Sequence, residues 1–127
     1  MNSDKIIENL LFYLTEGLFS KETYDKFVII PEEEDVCSSI NNIIGVCINE
    51  IIEVIKNDFN EKKIKNIMKK SLSNFNKKQY DTEERSFICE CFYQIANIVG
   101  INFNDELNAW LYGKILGFLL KIRVKTQ

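Results

Sequence analysis

Apolar residues recur along this chain at the three- and four-residue spacing of helices that bury one side. The first periodic stretch starts at Ser3 and Asp4, which suit a helix cap, and runs to Gly17. A second covers 20–30 and ends there, because Pro31 disfavours helical backbone in the residue before it. The end of this second stretch is equally compatible with extended structure.

A wide apolar stripe predicts a long helix over 36–58. Pro31 and the four acidic residues that follow it suit the start of that helix and its dipole. The next helix is predicted to be capped by Asn60 and to carry its apolar residues up to Leu72. Beyond it, the segment to Tyr80 loses the helical period.

Two further helices have recognisable start and stop residues. A helix over 83–99 has Asp81 or Thr82 as its cap and Gly100 as a carboxyl-terminal stop. Asn104 is predicted to cap the last helix, which has acidic residues in its first turn and basic residues near its end.

The last predicted helix, over 105–122, is apolar around more than half of its circumference, which indicates a central position. Gly113 and Gly117 fall on one stripe of it, where each glycine costs about 1 kcal/mol relative to alanine. Close approach of another helix backbone would offset that cost. A pocket beside Trp110 and Tyr112 is the alternative explanation.

The amino-acid composition also favours an all-helical fold. With 127 residues, 46% of them apolar, and only one proline and five glycines, the chain is predicted to form an all-α single domain over 1–127, a bundle of five or six helices. The stretches 36–58, 83–99 and 105–122 should form its centre. The start lacks the features of a secretory signal, and the apolar run ILGFLLKI is too short to span a bilayer, so we expect a cytoplasmic protein without a membrane partner.

Cysteine chemistry contributes little. Cys89 and Cys91 are two residues apart, so on a helix they point about 200° away from each other and cannot ligate one metal from the same face. With Cys37 and Cys47 they are expected to be reduced, buried and unreactive thiols. The chain has no histidine to complete a zinc site.

The absence of histidine also removes the commonest general base and the histidine-dependent catalytic triads. No glycine-rich phosphate loop is present. Paired carboxylates remain as an enzyme hypothesis, within residues 32–35 or between Glu50 and Glu53, for Mg²⁺ binding or glycosidic acid-base work. Acidic residues at a helix start or on an exposed face are more often solvated, so we expect no enzyme and no cofactor.

Charge is distributed unevenly along the chain. Residues 1–60 hold twelve acidic and four basic residues, a net −8, whereas residues 61–127 carry +5. A negative face would attract a basic protein partner and raise the rate of association. The predicted partner-binding residues are Glu32, Glu33, Glu34, Asp35, Glu50, Glu53 and Asp58.

A lysine-rich segment offers an alternative function. Residues 62–78 hold seven lysines with Phe75 among them, so a helical regulatory module could bind nucleic acid phosphates here. The segment has no arginine for base reading, and the net charge of −3 opposes a polyanion, which makes this the weaker of the two hypotheses.

Finally, the stretch DTEERSFICECFYQIANIVGIN, followed closely by LNAWLYG, resembles the carboxyl-terminal part of a family of small helical bacterial proteins of uncharacterised function. In size and acidity the whole chain is similar to immunity proteins of contact-dependent growth-inhibition systems. That resemblance implies a cytoplasmic protein that masks the active site of a cognate toxin, frequently a basic nuclease. The sequence leaves the toxin's identity open, and also whether the free protein forms a homodimer.

Overall fold

Five amphipathic α-helices make up most of the computed structural model, which describes residues 2–113. No strand occurs in this part of the chain, which confirms the predicted all-α single domain. In chain order the elements are α1 (Ser3–Phe12), a π-helical turn (Tyr13–Gly17), α2 (Glu34–Asn57), α3 (Glu61–Ser73), a 3-10 turn (Lys77–Gln79), α4 (Thr82–Val99) and α5 (Asn104–Tyr112).

Helix α2 lies at the centre, as its wide apolar stripe predicts. It packs against α1, α3 and α4, while α4 also contacts α1 and α5. Ile40, Ile44, Ile48 and Ile51 of α2 are fully buried, because successive members of the set are three or four residues apart and share one face. They belong to a core that includes buried side chains from all five helices.

By length and composition α2 is also apolar enough to cross a membrane. Its apolar face, however, packs into the core described above, and a buried core helix meets the same criterion.

Several predicted helix ends are confirmed. Asn60 accepts a hydrogen bond from the backbone N–H of Lys63 at 2.9 Å. Asp81 and Glu84 form a reciprocal capping box at the start of α4, with N···O distances of 2.8 and 2.9 Å. Gly100 ends α4 in the left-handed conformation, with φ of 79°.

Other predicted ends are displaced. Asn2 rather than Ser3 caps α1 by accepting from the N–H of Lys5. Helix α2 begins at Glu34, three residues after Pro31. At α5 the cap position is Phe103, because the side chain of Asn102 accepts a hydrogen bond from the backbone N–H of Asn104 and so closes a turn before the helix.

The helix predicted over 20–30 does not form. Local side-chain bonds hold this segment in turns: Thr23 Oγ1 donates to the carbonyl of Gly17 at 2.7 Å, and Asp25 Oδ1 accepts from the N–H of Phe27 at 3.0 Å. Such bonds offer the backbone an alternative to helical pairing. The extended alternative for its end is the better description, because residues 28–33 have no helical structure.

The last helix is shorter and less central than predicted. It ends at Tyr112, because Gly113 adopts φ of 86° and ψ of 159°. Leu107 is the only buried residue of α5, so this helix lies at the edge of the bundle. Among residues 2–113, no atom lies within 4 Å of a Cβ added at Gly113, so this part of the chain provides no close backbone approach there. Gly117 and the rest of the predicted helix lie outside the described residues.

Candidate functional site

Three neighbouring cavities lie along one side of α4. The first has a volume of about 530 Å³ and lies between α4 and residues 25–29. It shares Ile29 and Glu83 with a second cavity of about 270 Å³, and Ser86 and Glu90 with another of about 390 Å³ towards α5. We call the surface that these three adjoining cavities line the α4 groove.

The groove has an unusually exposed apolar wall. Phe27 is 80% exposed and Ile29 is 56% exposed, although the buried Phe87 lies at the base of the same cavity. Scattered single apolar residues on a surface are ordinary, but neighbouring large ones that line a cavity mark a potential binding surface. Lys26 Nζ lies over the Phe27 ring, 5.2 Å from its centroid, so one face of this exposed ring already makes a cation–π contact.

Carboxylates line the same groove. Asp25, Glu83 and Glu90 surround the first cavity, and Glu32 lines the second. None of these four forms an ion pair within residues 2–113. Partial burial, and secondarily the charge of Asp25, raises the pKa of Glu90 above its ordinary value. A cation bound in the groove would offset that unfavourable environment.

Two other acidic residues at the groove are already used by the fold. Asp81 and Glu84 line the second cavity, but their carboxylates form the capping box of α4. Asp25 Oδ1 also accepts from the N–H of Phe27, so the carboxylates left for a partner are chiefly those of Glu32, Glu83 and Glu90.

Tyr24 anchors the segment that forms the wall. Its hydroxyl donates to the carbonyl of Leu18 at 2.6 Å and lies 2.6 Å from the hydroxyl of Tyr13. Its ring meets Phe87 of α4 edge-on, with centroids 5.2 Å apart, and Phe19 stacks on Phe87 at 5.8 Å. The wall is thus fixed to α4 immediately before the exposed residues begin.

The surroundings of Trp110 and Tyr112 differ from each other. Tyr112 lines the cavity at the α5 end of the groove, together with Tyr93. Trp110 is partly buried, and Lys77 contacts it twice: the ammonium donates to its carbonyl at 2.7 Å and lies 5.6 Å from its ring centroid. A pocket is therefore present beside Tyr112, whereas Trp110 has a packing role.

The seven acidic residues predicted to bind a partner do not form one patch. Glu32–Asp35 lie before and at the start of α2, whereas Glu50, Glu53 and Asp58 lie in its last turns and just beyond. From Glu34 to Glu50 the distance along the helix is about 24 Å. Glu53 also has a basic neighbour, Lys56, at 3.8 Å. Among the seven, Glu32 is the member that lines the α4 groove.

The lysine-rich segment is partly engaged in the fold. Lys65 pairs with Glu106 at 3.3 Å, and Lys77 contacts Trp110 as described. Phe75 is buried against Tyr80 and Phe92, so its ring is not available to stack on a base.

The environments of Cys47, Cys89 and Cys91 agree with the expectation of buried, unreactive thiols, whereas Cys37 is only partly buried. All four are free, and three are buried. Burial raises the pKa of Cys47, Cys89 and Cys91 to about 12 each, so these thiols stay protonated at neutral pH. Cys37 is partly exposed and donates to the carbonyl of Pro31. Within residues 2–113 no cluster of three or more Cys, Asp or Glu side chains has the geometry of a metal site.

Sequence reasoning missed Asp25, Glu83 and Glu90 as a group. Glu83, Ser86, Glu90 and Tyr93 are spaced as one polar side of α4, a pattern visible in the sequence. Nothing in the sequence indicated that Asp25 and Phe27 would lie opposite that side, because residues 20–30 were predicted to be helical.

Fold and surface together define an all-helical, single-domain protein with an acidic, apolar groove. Residues 3–115 match the model of the family described as domain of unknown function DUF4844, and the chain belongs to that family. The fold is similar to the crystal structure of a DUF3571 family protein from Acinetobacter baumannii AYE, with a TM-score of 0.76 and 19% identity over 93% of this chain and 97% of the other. No curated protein sequence matches this one.

Proposed function

We propose that this protein is a non-enzymatic immunity protein that binds a cognate bacterial toxin domain, a basic nuclease, and masks its active site. The observation that carries the proposal is the α4 groove. Phe27 and Ile29 expose apolar surface to solvent beside carboxylates that lack ion-pair partners in the described part of the chain. Such a surface suits a protein partner that supplies both apolar contacts and positive charge.

The physical mechanism is binding and occlusion. A nuclease active site is positively charged because it holds a phosphate backbone. An acidic surface is steered towards it, and the apolar contacts then slow dissociation, because they are made only in the docked complex. The immunity protein needs no chemistry of its own in this mechanism.

A growth assay tests the proposed function. The proposal predicts that a neighbouring reading frame encodes the cognate toxin domain, which should arrest growth when it is expressed alone. Coexpression of this protein should then restore growth. The two proteins should copurify as a one-to-one complex whose association rate falls as salt is added. Growth arrest that persists despite soluble, folded protein, together with no complex, would contradict the proposal.

A further inference from the structure

We propose that the α4 groove receives one amphipathic helix of the partner, which places an apolar side against Phe27 and Ile29 and basic residues against Glu83 and Glu90. This inference deepens the proposed function and rests on it. It assigns the binding surface to α4 and the preceding wall rather than to the two ends of α2.

The dimensions of the groove suit a helix of about three turns. From Glu83 to Tyr93 the exposed side of α4 extends about 15 Å. Ser86 and Glu90 line the cavities on both sides of the middle of this path, so the two cavities adjoin along it. A longer partner helix would extend beyond the ends of the groove without further contact.

The charges define the spacing of the partner's basic residues. Glu83 and Glu90 are seven residues apart on α4, so their side chains project from the same side of the helix, about 10 Å apart. A partner helix that runs alongside α4 would match them with two lysines or arginines that are also seven residues apart. Asp25, beside Glu90, adds negative charge at that end of the groove.

The apolar contacts come from the wall. Phe27 and Ile29 are two residues apart in a non-helical segment, and both line the first cavity opposite α4. Leucine-sized side chains on the inner side of a partner helix would cover them. Burial of these exposed side chains would remove apolar area from water and so favour the complex.

The chain's own carboxyl-terminal residues are the competing occupant. The sequence 114–127 is apolar, with four basic and no acidic residues, so its chemistry is also complementary to the groove. A carbodiimide cross-link that joins Glu83 or Glu90 to Lys121 or Lys125 of the same molecule, found by mass spectrometry of the isolated monomer, would overturn the proposal of a partner helix.

Titration of designed helical peptides into the full-length protein tests the inference. The probe is a Leu-rich amphipathic peptide with lysines seven residues apart, and its matched control has glutamates at those positions. The lysine peptide should bind, and the E83Q/E90Q double variant should weaken its binding by about tenfold or more. The F27A variant should weaken it as well. These three side chains are partly or largely exposed, so the variants should remain folded, and thermal unfolding of each variant checks this.

The matched control is the E50Q/E53Q double variant, which removes the same charge from the far end of α2. It should change peptide affinity by no more than about twofold. Equal weakening by both double variants, or equal binding of the glutamate peptide, would overturn the inference. If E83Q/E90Q still neutralises the toxin fully, the groove assignment fails while the proposed function stands. If the lysine peptide binds in the groove but no toxin is neutralised, the proposed function fails instead.

Discussion

At the residue scale, a buried pair of tyrosines fixes the wall of the groove. The single hydroxyl proton of Tyr24 is donated to the carbonyl of Leu18, so Tyr13 has to donate to Tyr24. Burial raises the pKa of both phenols, so both stay neutral. The two hydroxyls therefore have unequal roles.

Because the two hydroxyls have different roles, replacing Tyr24 or Tyr13 by phenylalanine should lower the free energy of unfolding by different amounts. Y24F leaves both the Tyr13 hydroxyl and the Leu18 carbonyl without their partner, and should lower the free energy of unfolding by about 2–3 kcal/mol. Y13F leaves the bond from Tyr24 to Leu18 intact, and should cost about 1 kcal/mol. Urea denaturation measures both values. An equal cost for the two variants would contradict this donor order.

Glu90 provides a second prediction at this scale. Its folded-state pKa is raised above the ordinary 4.5, so the folded protein holds this proton to higher pH than the unfolded chain does. Stability from this residue is therefore greatest at low pH and is lost as pH rises through the raised pKa. E90Q should be more stable than the parent at pH 7, and the gain should shrink as the pH falls towards 4.5. A gain that grows on acidification would contradict the raised pKa.

At the element scale, two glycines predict stability changes of opposite sign. Gly100 has φ of 79°, where any side chain is strained, so G100A should destabilise the fold by about 1 kcal/mol. Gly45 lies within α2, and an added Cβ would make only an ordinary contact of 3.8 Å with Leu14. G45A should therefore stabilise the fold by about 0.5–1 kcal/mol. Thermal unfolding of both variants checks the pair, and a destabilised G45A would show that α2 is packed more tightly there.

The helix positions could be predicted where the helical spacing of apolar residues agreed with residue types that start or end a helix. Asn60, Asp81 and Gly100 are such signals, and the structure uses each of them. The prediction failed over 20–30, where Thr23 and Asp25 bond to nearby backbone instead. The spacing of apolar residues could not show that these side chains compete with helical hydrogen bonding, because the same residues also suit the first turn of a helix.

At the scale of the whole molecule, the groove combines acidic residues from both halves of the sequence. Asp25 and Glu32 come from the negative half, and Glu83 and Glu90 come from the half with net charge +5. Charge counted along the chain therefore located an acidic surface only in part. The charge count identified Glu32 as a candidate binding residue. It could not identify the others, because the contact between residues 25–32 and α4 joins distant parts of the chain and no local sequence pattern predicts it.

Amide hydrogen exchange in the complex with the cognate toxin domain tests the central claim most directly. Exchange should slow on binding in residues 25–32 and in the exposed side of α4 from Glu83 to Tyr93. Residues 50–58, at the far end of α2, should exchange at the same rate in the free and bound protein. Protection confined to 50–58, with none along α4, would contradict the account.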